Sequence, residues 1–89
     1  MKYSDLANAM PEHVLALIRR DEKLAQLHNE LVTEVCIEKG KFEYENMDNP
    51  AQVGNFHREI LSDKAKTAYR ALGTELKARY AISLPDPGE

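Results

Sequence analysis

Tryptophan is absent from this 89-residue chain, and glycine and proline occur only four times each. Cys36 is the lone cysteine, so no disulfide can form within the chain. A single unpaired thiol fits a reducing compartment, which makes the cytoplasm the expected location. No run of about 18 apolar residues occurs, so no membrane span is expected. The opening stretch MKYSDLANAMPEH has no apolar core of the kind that a secretion signal needs. Gly-rich phosphate loops are missing, and no pair of cysteines or histidines has zinc spacing. No cofactor or metal is therefore expected, and the expected function is not enzymatic. His13, His28 and His57 are far apart in sequence. Cys36 could pair with a distant histidine as a nucleophile. A cysteine on the flank of an apolar helix face is more commonly a small core residue. The run His57-Arg58-Glu59 puts a base near an acid, but adjacent helical residues do not face one another.

What the sequence does contain is helical periodicity. At 89 residues it is one domain with a modest core. Ser4 can cap a short helix over 4–10. Met10-Pro11 interrupts it, and Pro11 suits the start of the next helix. That helix spans 11–39, with Val14, Leu17, Ile18, Leu24, Leu27, Leu31, Val32 and Val35 on one broad face. Asp21 falls near this face and could start a fresh helix with DEKL as its first turn. Gly40 can terminate the helix. Residues 40–49 read as a loop, which could hold a short extended piece or could tuck Phe42 and Tyr44 against the helices. Asn49 and Pro50 open a last helix over 50–81, which Ser62-Asp63 could break near 62. The segment 83–89 reads as a loose tail.

The expected fold is all-α: an antiparallel hairpin of two long amphipathic helices with a short N-terminal helix. Leu17, Leu24, Leu27, Leu31 and Val35 are expected to face Val53, Phe56, Ile60, Ala68, Leu72 and Leu76. Two helices of about 28 and 31 residues, roughly 42–46 Å long, make a poor core by themselves. A homodimeric four-helix bundle would cover their apolar faces. Breaks at Asp21 and Ser62 would instead allow a compact monomeric bundle of four or five shorter helices.

Charge is polarised along the chain, whose net charge is −3. Residues 21–48 carry eight acids and three lysines, whereas residues 58–79 carry six basic groups and three acids. Glu30, Glu34 and Glu38 recur every four residues and form a ridge beside the apolar face. Like charges at this spacing repel, and an opposing cationic surface would relieve them. Lys66, Arg70 and Lys77, with Gly73 between, form a basic stripe on the last helix. The stripe and the ridge could be solvated, could meet each other, or could meet a partner. Partner or dimer contacts are therefore assigned to Glu30, Glu34, Glu38, Lys66, Arg70 and Lys77. The function expected is a small protein–protein interaction module. It could be an accessory or inhibitory protein whose acidic segment docks on a basic surface. Weak nucleic-acid binding through the basic last helix is the alternative, against which stands a sequence pI near 5.6.

Overall fold

The computed structural model describes residues 1–88. They form α1 (Asp5–Ala9), α2 (Glu12–Arg20), α3 (Glu22–Glu45), α4 (Pro50–Val53), a 3₁₀ turn over Phe56–Arg58, and α5 (Asp63–Tyr80). The two long helices, α3 and α5, pack on each other, and α2 packs on α3. The all-helical expectation holds, with five α-helices in place of three.

The expected 11–39 helix is two helices. Asp21 adopts an extended backbone (φ −110°, ψ 116°), and its carboxylate accepts the Leu24 N–H at 3.1 Å. A short acid that satisfies an otherwise unpaired amide favours a helix start over helix continuation. The DEKL stretch is thus the first turn of α3.

Gly40 does not stop α3, and the expected loop over 40–49 is helical to Glu45. The cost of a helical glycine is only about 1 kcal/mol. Continuing the helix carries Phe42 to Phe56, with ring centroids 5.7 Å apart. Asn46 then ends it, its side-chain amide donating to the Phe42 carbonyl at 2.8 Å.

The expected 50–81 helix breaks into three pieces. Asn49 makes no side-chain cap, and α4 closes within one turn at Gly54. Residues 59–62 run extended before Ser62 caps α5, accepting the Ala65 N–H at 3.1 Å. The N-terminal residues pair with this stretch, which removes the need for helical bonds. Tyr3 N–H donates to the Glu59 carbonyl and Ser4 N–H to the His57 carbonyl, both at 3.0 Å. Leu61 N–H donates to the Met1 carbonyl at 3.1 Å. The Tyr3 ring stacks on Phe56 at 4.2 Å, and its hydroxyl accepts from Ser62 N–H at 3.1 Å.

Two apolar clusters result. The larger joins Met10, Val14 and Ile18 to Leu24, Leu27, Leu31, Tyr69, Leu72 and Leu76. The smaller holds Tyr3, Phe56, Leu61 and Ala65. Of the expected core contacts, Leu24, Leu27, Leu31, Phe56, Leu72 and Leu76 are buried, and Leu17, Val35, Val53 and Ala68 are half-buried. Ile60 is a correction: it is 65% exposed, and Leu61 takes the core position. Extended backbone turns successive side chains to opposite sides, so one of the two must face outward.

The tail is not loose. Ala81 closes α5 in the left-handed region (φ 57°), and Ile82 N–H reaches back to the Leu76 carbonyl. Leu84 then lies over Gly73, Tyr69 hydroxyl donates to the Pro85 carbonyl, and the Met1 amine donates to the Pro87 carbonyl. Residue 89 of the expected tail lies outside the described residues.

Candidate functional site

The residues of the acidic ridge have three different fates. Glu30 is exposed, whereas Glu34 and Glu38 are half-buried. Glu38 pairs with Lys41 at 3.4 Å. Glu34 and Glu30 line a groove of about 950 Å³ between α3 and α5. One α3 wall carries Glu22, Glu30 and Glu34; α5 contributes Asp63 and Lys64 at one end. Ala25, Ala68 and Ala71 are small residues in the lining. Among the described residues, Glu34 Oε2 is a buried side-chain oxygen that no hydrogen-bond donor reaches. A buried acceptor left in this way costs about 1–3 kcal/mol. Four carboxylates against one ammonium make the groove acidic.

The basic stripe is not an open row of cations. Lys66 is only 6% exposed. The Arg70 guanidinium donates to the Gly88 carbonyl, so it is engaged by the tail. Lys77 is exposed. Gly73, expected to allow a close approach, has Leu84 at 3.8 Å from where a Cβ would stand. That is ordinary contact, so the position would also take alanine. Among the described residues, no ion pair joins Glu30, Glu34 or Glu38 to Arg70 or Lys77.

Asp21 is the centre of the densest polar cluster, which the sequence signals only as a helix start. Tyr80 hydroxyl donates to its Oδ2 at 2.6 Å, and Arg79 holds the same oxygen at 2.6 Å and Oδ1 at 3.0 Å. The hydroxyl of Tyr80, the Arg79 guanidinium and the Leu24 amide together hold the Asp21 carboxyl down to about 2. Donation to Asp21 raises the Tyr80 hydroxyl, and the same carboxylate raises Arg79. The cluster ties the start of α3 to the end of α5, 58 residues on. Its job is positional, since all three groups satisfy one another.

A second pocket of about 380 Å³ lies between α1, α2 and α3 and includes Leu6, Met10, Leu15, His28 and Val32. Burial, and secondarily the charge of Arg19, pushes the His28 imidazole down from its ordinary value. Cys36 lies at this pocket and is exposed, a correction to the expected core position. On α3, Leu31 is buried and Val35 half-buried, and residue 36, the next along the helix, turns away from the core. Among the described residues, no three His, Cys, Asp or Glu side chains stand together as a metal site. Among the described residues, no helix is long and apolar enough to cross a membrane.

No protein-family model, curated protein or solved structure matches this chain.

Proposed function

We propose that this chain is a small, non-enzymatic protein–protein interaction module whose acidic α3 docks on a basic surface of another protein. The observation that carries the reading is the acidic groove lined by Glu34, whose buried Oε2 meets no hydrogen-bond donor among the described residues. A cationic partner pairs with the Glu30 and Glu34 carboxylates and relieves the repulsion between them. The free, exposed thiol of Cys36 fits work in a reducing compartment such as the cytoplasm. An accessory or an inhibitory role follows from what the covered surface does on the partner.

The test is affinity capture followed by reconstitution with the purified partner. Replacing Glu30, Glu34 and Glu38 together by lysine should weaken binding by at least about 100-fold, on the order of 3 kcal/mol. Unchanged binding by the triple variant sinks the reading.

A homodimeric four-helix bundle is the second form of the interaction reading. It is favoured by exposed apolar side chains along and just after α3, with Val32 43%, Ile37 45%, Tyr44 77% and Met47 64% exposed. Absolute mass near twice 10.1 kDa at both low and high salt supports it, and a mass of one chain at both removes it.

A further inference from the structure

The α3–α5 groove has the form of a seat for one more helix. From Glu22 to Glu34 it extends along α3 by twelve residues, about 18 Å at the helical rise. Ala25, Ala68 and Ala71 replace bulky side chains in its lining, which lets a third backbone come close. The α3 wall continues past the groove as an apolar line. Ile37 and Tyr44 follow Glu30 at intervals of seven residues, so the three lie nearly on one line along the helix. Ile37 is 45% and Tyr44 77% exposed. A helix laid along the groove would cover both.

Charge decides what kind of helix. The groove lining holds four carboxylates and one ammonium. Glu34 Oε2 needs a donor, and none of the described residues offers one. A second copy is a poor occupant, because each copy brings a net charge of −3. The chain's own basic stripe is also not open, with Lys66 buried and Arg70 held by the tail.

Resting on the interaction reading above, we infer that the α3–α5 groove binds a basic amphipathic helix of a partner protein as a further helix of the bundle, with a Lys or Arg donating to Glu34. Small residues of that helix face Ala68 and Ala71. Its cations, spaced three and four apart, reach Glu30 and Glu34 on one side and Asp63 on the other.

The experiment is a backbone-amide NMR titration of the full chain with two synthetic peptides of about four helical turns. One carries Lys at helical spacing along an Ala/Leu face; the other has the same composition in scrambled order. The helical peptide should bind with a Kd in the range of about 10–100 μM at low salt. Its shifts should centre on Gln26, Asn29, Thr33, Glu34, Thr67 and Ala71. Glu34→Gln keeps the shape and should weaken binding about tenfold or more. Ala71→Arg fills the groove and should abolish it. Equal binding of both peptides, with shifts spread over Glu38–Asp48, overturns the groove while leaving the wider acidic-surface reading intact. Unchanged affinity in Glu34→Gln, absence of any shift at about 1 mM peptide, or groove shifts that appear on diluting the free protein each overturn it as well.

Discussion

Replacing Glu34 by leucine should make this protein more stable, although leucine is the poorer residue for solubility. One carboxylate oxygen of Glu34 is buried with no donor among the described residues. Removing such an acceptor recovers about 1 kcal/mol at the lower end of the usual cost. The position is half-buried, so a leucine there adds roughly 1 kcal/mol of apolar burial. Loss of like-charge repulsion with Glu30 and Glu38, each four residues away, contributes a few tenths more. The sum is a gain of about 2–2.5 kcal/mol. For a domain of this size each kcal/mol moves the Tm by about 4–8 °C. Urea and thermal unfolding followed by far-UV circular dichroism measure both quantities. Glu34→Gln, which keeps the polar end, should stay within about 0.5 kcal/mol of the parent. A Glu34→Leu variant less stable than the parent by about 1 kcal/mol or more would refute the reasoning, because Glu34 would then have a stabilising partner within the chain. A gain in stability coupled to lost partner binding is the signature of a residue kept for function.

Other consequences are equally measurable. The Asp21 carboxyl is held down at about 2 against an ordinary 3.8, so its stabilising effect is present above 3.8 and disappears as pH falls through 2. Urea midpoints measured from pH 5 to pH 2 should therefore drop less steeply in Asp21→Asn than in the parent, and parallel curves would refute this. Ala81 closes α5 with φ 57°, a conformation that costs a residue with a Cβ about 1 kcal/mol, so Ala81→Gly should raise stability by a comparable amount in urea unfolding. Tyr69→Phe removes the hydroxyl that donates to Pro85. It should cost about 0.5–1.5 kcal/mol and speed amide exchange in residues 82–88, leaving the centre of α3 unchanged.

The sequence shows helix type and helix faces clearly, because the 3.6-residue period survives every local irregularity. Leu24, Leu27, Leu31, Leu72 and Leu76 are readable as core from spacing alone. Two breaks are also visible in it, since Asp21 and Ser62 are cap residues before good helix formers. What spacing does not show is where distant backbone is paired. Residues 57–61 continue the apolar period of α5, yet they run as a 3₁₀ turn and extended chain because Met1, Tyr3 and Ser4 supply their hydrogen bonds. The same long-range dependence hides the tail, whose Pro-rich composition looks unstructured but whose carbonyls are taken by Tyr69, Arg70 and Met1. Gly40 misleads for a related reason: the helix runs through it to bring Phe42 to Phe56. Within the candidate site, the spacing of Glu30, Glu34 and Glu38 is legible. The difference between Glu38, satisfied by Lys41, and Glu34, satisfied by nothing described, depends on which neighbour each one meets.

Hydrogen exchange on the chain, alone and bound to the partner recovered by affinity capture, tests the acidic groove most directly. Docking there requires slowed exchange in residues 22–34 and 63–71, with the protection centred on Glu34 and Ala68. Protection confined to residues 74–88 would contradict it and assign the interaction to Lys77 and the tail.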